Sequence, residues 1–119
     1  MMGYICHHAI LVTSYSHQRL QDAHDKAARL FRNVSPIMPS LANDKGSFFV
    51  PPDGSKEAWA ISNEGDLNRA EFVGWLKDQA FDDGSSALQW CEVQFGDDNG
   101  NTKILHDSDE WKRQKIQGG

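Results

Sequence analysis

Two apolar stripes at helical spacing, each flanked by short runs that alternate or carry β-branched and aromatic residues, predict an α+β fold. Proline, glycine, asparagine and aspartate punctuate the junctions between these runs, so the strands are expected to pair mainly as antiparallel hairpins. With 119 residues the chain buries roughly two-thirds of its unfolded surface in one core, and a single domain is expected over 1–110 with a polar tail at 111–119.

The first strand is expected at 4–13 (YICHHAILVT), whose end is almost continuously apolar. A helix follows, because Leu20, Ala23, Ala27, Leu30, Phe31 and Val34 recur at its spacing behind Ser14 or Ser16 as N-cap. Asp22 with Lys26, and Asp25 with Arg29, stand four apart on its wet face and support it modestly. Pro36 and Pro39 end the helical possibilities and, with Asn43 to Gly46, predict an extended connection with a turn. The runs 47–50 (SFFV) and 57–61 (EAWAI), joined by Pro51-Pro52-Asp53-Gly54, predict a hairpin. Leu67, Ala70, Val73, Leu76 and Ala80, widened by Phe72 and Trp75, mark a second helix capped by Ser62, Asn63 or Asp66. Asp82-Asp83-Gly84-Ser85-Ser86 breaks that helix. The run 88–95 (LQWCEVQF) then alternates, with Cys91, Val93 and Phe95 on one face and Leu88, Trp90, Glu92 and Gln94 on the other. An Asn99-Gly100 turn returns the chain into a last strand at 102–106.

That order, strand-helix-strand-strand-helix-strand with one more strand, is the ferredoxin-like two-layer sandwich, an antiparallel sheet with both helices on one face. Leu88, Trp90 and Trp59 are expected to supply the apolar face that the helices leave open, and thereby a homodimer or higher homo-oligomer.

The formal charge is −5, and the stretch 62–110 holds twelve acids against three bases. Such a surface disfavours nucleic acid and favours a cationic partner. The longest apolar run, Ala9 to Val12, is far below the roughly 20 residues that cross a bilayer. No membrane partner is expected, and with no leader-like opening the expected location is the cytoplasm. Cys6 and Cys91 are too few for a disulfide framework and lack zinc-ligand spacing, so both are expected as buried thiols.

His7 and His8 are adjacent on a strand and point to opposite faces, which argues against one shared metal site. His8 paired with a carboxylate such as Glu92 is the one weak candidate for proton transfer. His17 and His24 lie two helical turns, about 10 Å, apart, too far for one ion. The DDNGN run at 97–101 suits a hairpin turn better than a calcium loop, and Gly54-Ser55-Lys56 lacks the earlier glycine of a phosphate loop. No nucleophile elbow, Cys-His pair or dinucleotide fingerprint is present, and neither a cofactor nor a metal is expected. One constellation survives: Trp59 to stack a base while Lys56 and Arg69 meet an anion.

HHAILVTS at 7–14, SFFVPPDGSKEAW at 47–59, SNEGDLNRAEFVGWL at 62–76 and DDGSSALQWCEVQFGDD at 82–98 resemble a group of small uncharacterised proteins of bacteriophage and bacterial genomes. The resemblance implies a phage or mobile-element origin, and hence the host cytoplasm as location, and transfers no activity.

The expectation is therefore a non-enzymatic binding protein that antagonises a host defence factor. Asp82, Asp83, Asp97, Asp98, Asp107, Asp109 and Glu110 would form the surface offered to a basic partner. The alternatives are a nucleotide-binding sponge or slow nucleotide hydrolase using Lys56, Trp59, Arg69 and His8, and a structural or assembly protein.

Overall fold

In the computed structural model, which describes residues 6–54, 59–97 and 99–113, the central strand β1 (His7–Ser14) divides its side chains between two unlike faces. Ile10, Val12 and Ser14 are buried on one face while Leu11, on the other, is half exposed. The helix α1 (His17–Leu30) follows at once. Ser16 caps it by accepting a hydrogen bond from the Arg19 N–H at 3.3 Å, and Leu20, Ala23 and Ala27 turn toward the sheet. Small side chains at two of those three positions let helix and sheet approach closely. At Gly46 on the sheet the approach is so close that a Cβ there would lie 2.8 Å from Leu20 Cδ2.

The helix is shorter than its apolar repeat predicts. Phe31 already has extended backbone angles, and Asn68 donates its amide to the carbonyl of Leu30 at 3.0 Å, closing the helix end from across the interface. Phe31 and Val34 nonetheless remain packed against the core.

The extended connection expected after α1 holds a short strand. β2 (Met38–Pro39) pairs antiparallel with β3 (Gly46–Val50), which in turn pairs antiparallel with β1, Val50 opposite Ile10. The expected hairpin between 47–50 and 57–61 is corrected in part. Residues 57 and 58 lie outside the described residues, and Ala60 and Ile61 open the second helix, α2 (Ala60–Asp78).

That helix also starts earlier than Ser62, Asn63 or Asp66 suggested, with Trp59 at its N-cap and no side chain capping it. Its buried face is Ser62, Arg69, Phe72, Val73 and Leu76, whereas Leu67 is 72% exposed. Two polar residues occupy inward positions and displace the expected stripe around the helix. The hairpin β4 (Leu88–Phe95) and β5 (Lys103–Asp107) forms as expected, with a register shift at Glu92/Val93. A single helical turn at 110–113 closes the described chain.

The result is an α+β fold with one five-stranded antiparallel sheet in the order β2-β3-β1-β4-β5. The expected order placed 57–61 beside β1; β3 takes that place. Both long helices pack on the face carrying Ile10, Val12, Phe48, Val50, Leu88 and Trp90, and Phe72 fills the centre of that core. Leu88 and Trp90 are therefore covered, at 1% and 6% exposure, and the expectation that they form the open face is overturned. Alternation separates two faces of a strand without saying which one the helices choose. No helix among the described residues is long and apolar enough to cross a membrane.

Candidate functional site

Arg69 is drawn inward by its place on the buried face of α2, and three carboxylates gather around it. Its Nη2 bonds Asp66 one turn earlier, its Nη1 lies 3.9 Å from Asp53 on the segment after β3, and its Nε lies 4.0 Å from Glu92 on β4. Glu92 is itself 7% exposed. Gly65 makes room for this arrangement, since a Cβ there would fall 2.7 Å from Asp53 and 3.2 Å from the guanidinium. His8 and His106 join Asp66, Arg69, Lys77 and Glu92 around an open groove of about 390 Å³ between α2 and the β4–β5 hairpin.

His8 and Glu92 both line this groove, His8 standing two pairs along the β1–β4 ladder from Ile10, the partner of Glu92. The nucleotide grip is a different matter. Arg69 faces three acids of its own chain, and Trp59 stands ten residues before it, about 15 Å along the helix axis and on another side. Lys56 lies outside the described residues. The cleft of about 170 Å³ walled by Leu30, Phe31, Pro51, Pro52 and Ile61 sets Arg32 beside Asp53 and Glu64, a mixed rim and not a cationic one. His24, also considered for metal binding, hydrogen-bonds the Ser35 carbonyl at 2.9 Å and stacks edge-on against Phe48.

At one end of the molecule the loop after α2 meets the turn after β5. Gly84, with φ +94°, lies flat against Trp111, so close that a Cβ would fall 3.0 Å from the Trp111 Cβ. Between them opens a groove of about 320 Å³ whose lining includes Leu76, Ala80, Trp90, Trp111, Asp107 and Glu110. Of the seven acids expected to meet a partner, Asp107 at the end of β5 and Glu110 line this groove, and three more adjoin lining residues in the chain: Asp82 and Asp83 just before Gly84, and Asp109 between Ser108 and Glu110. Three are balanced locally, Asp107 by Arg113 at 2.8 Å, Asp109 by Lys112 at 3.8 Å and Glu110 by Lys77 at 3.7 Å. Asp82 and Asp83 are exposed, with no base within salt-bridge distance among the described residues for Asp82.

Asp97 stands at the opposite end of the β4–β5 hairpin, where its Oδ1 accepts from the N–H groups of Asn99 at 3.1 Å and Asn101 at 2.8 Å. Its role there is to build the turn. Asp98 lies outside the described residues. The acids therefore form an end patch and a separate hairpin tip.

The two cysteines are half-buried, a correction to the buried thiols expected, and Cys6 precedes β1 instead of lying within it. Burial pushes the Cys91 thiol above its ordinary range, and the carboxylate of its cross-strand partner Asp107 pushes the same way. A raised value means less thiolate at any pH below it. Alkylation of Cys91 by iodoacetamide in dilute solution at pH 8 is therefore expected to run slower than that of a free thiol. Asp107→Asn should speed it, and an unchanged rate would exclude the carboxylate as a cause.

Among the described residues no group of three or more His, Cys, Asp or Glu is placed to hold a metal ion. No protein-family model, curated protein or solved structure matches the chain.

Proposed function

We propose that the protein is a non-enzymatic binding protein of phage or mobile-element origin that antagonises a host defence factor by offering its acidic end to a basic surface. The observation that carries this reading is the tryptophan-lined groove at the end where Asp82, Asp83, Asp107, Asp109 and Glu110 gather. Negative charge draws a basic partner in, and an arginine or lysine can lay its stem on an indole with its head against a carboxylate. Lys112 of the chain itself places its Nζ 5.8 Å from the Trp111 ring centre, which illustrates that geometry. In the same proposal the path is a ferredoxin-like variant with β5 appended: β1 lies between β3 and β4, and each long helix joins two parallel strands separated by one antiparallel strand.

The test compares proteins captured from host lysate by the wild-type chain, by Asp82→Lys/Asp83→Lys and by Trp111→Ala. A partner held by the first and lost by both variants is expected. With that partner purified, affinity should fall steeply between low and moderate salt, and the charge reversal should slow association about tenfold or more. Equal capture by all three would sink the acidic-end reading. A nucleotide retained in native mass spectrometry, whose stabilising effect disappears in Trp59→Ala, would favour the sponge instead.

A further inference from the structure

The sheet face turned away from the helices carries an exposed apolar side chain on every strand. On it lie Met38 of β2, Phe49 of β3, Leu11 of β1, Phe95 of β4 and Ile104 of β5, each between 36% and 61% exposed. The register ties them into a continuous patch. Phe49, Leu11 and Cys91 form one row across three strands that ends on Asp107 at the edge, and Ala9, Val93 and Ile104 form the row beside it. The polar side chains there satisfy one another or are neutral: Thr13 and Ser47 share a hydrogen bond of 2.8 Å, and Asp107, opposite Cys91, is held by Arg113.

We propose that this face is the interface of a homodimer in which two copies pack sheet against sheet about a two-fold axis passing near Leu11. Charge selects a second copy as the occupant. Two chains of net charge −5 repel, and here they meet without bringing like charges together. A basic protein partner would find one acid on this face, Asp107, already neutralised by Arg113, whereas two identical apolar patches complement each other in an isologous contact. Sheets pack face to face about 10 Å apart and about 30° from aligned, and large side chains on alternate strands interdigitate in that layer.

Size is consistent with the assignment. A strand spacing of about 4.8 Å and a rise of about 3.3 Å per residue make the face on the order of 500 Å². Two copies then bury on the order of 1,000 Å² together, the lower limit for a specific interface, and a micromolar dimer is the result expected. This dimer does not rest on the acidic-end reading: Leu11, Phe49, Phe95 and Ile104 lie outside the end groove, and Asp107 alone belongs to both surfaces.

The experiment is sedimentation equilibrium of the full chain across concentrations up to about 200 µM, above the dissociation constant that such an area supports. A concentration-dependent shift from 13.4 kDa toward twice that mass is expected. Leu11→Asp should raise the dissociation constant about a hundredfold or more, because each copy then buries a charge against its twin. It should leave the far-ultraviolet circular dichroism unchanged, since Leu11 is half exposed in the single chain. Leu67→Asp, on the outside of α2, should leave the dimer intact. Leu11→Cys in a Cys91→Ser background should form a disulfide-linked dimer under mild oxidation that Cys91→Ser alone does not form. A monomer at every concentration overturns the proposal, as does a dimer whose dissociation constant Leu11→Asp leaves unchanged.

Discussion

Replacing Arg69 by alanine is expected to lower the stability of the fold by about 3–5 kcal/mol, measured by urea unfolding with tryptophan fluorescence as the probe. The loss comes mainly from Glu92 and only secondarily from the arginine. Its side chain is 9% exposed and faces the guanidinium, so removing the cation strands a carboxylate where water cannot fully reach it. Asp66 and Asp53, at 52% and 35% side-chain exposure, can turn to solvent and contribute little. Pairing Arg69→Met with Glu92→Gln should recover a large part of the loss, because the double variant leaves no charge behind. An Arg69→Ala protein within about 1 kcal/mol of wild type would show that Glu92 is hydrated without its partner.

The second large effect is expected at Phe72, which is wholly buried at the centre of the core. Its ring meets Phe31 edge-on at 5.9 Å and lies parallel to Trp75 at 6.3 Å, so it joins α2 both to the end of α1 and to its own next turn. Truncation to alanine opens a cavity and should cost about 3–5 kcal/mol. For a domain of this size that lowers the melting temperature by roughly 12–20 °C in a calorimetric scan. Phe72→Leu, which keeps most of the volume, should cost much less. Equal losses for the two substitutions would mean that ring geometry and not volume holds the helices together.

What the sequence made legible follows from how local each signal is. The β4–β5 hairpin was readable because alternation along 88–95 and the turn residues at 97–101 sit side by side in the chain. Both long helices were readable from their stripes. The rotation of α2 was not, because Ser62 and Arg69 look like surface residues until the carboxylates of Asp53 and Glu92 are seen beside Arg69. Glu92 is twenty-three positions away, and no local pattern announces such a pair. β2 escaped notice for a related reason: two residues, one of them proline, have no strand signal of their own and are defined by pairing with β3. The inverted assignment of the sheet faces shows the limit of periodicity, which separates Leu88 and Trp90 from Cys91 and Phe95 and is silent on which set the helices cover. The end groove was illegible as a unit because Gly84 and Trp111 meet only in three dimensions. Its acids were visible as composition, but the Arg113, Lys112 and Lys77 that offset three of them were not.

The two rims of the sheet bear on a different property, the resistance of the protein to fibril growth. An open sheet with a long regular border invites strand after strand to add along it, which is how cross-β aggregates propagate. Here one border is β2, only two residues long and ending in Pro39, which has no N–H to donate. The other is β5, whose pairing with β4 slips at Glu92/Val93 and whose first residue, Lys103, is a charge. Neither border presents a template of the length that amyloid needs, and the folded chain is expected to resist strand addition at its edges.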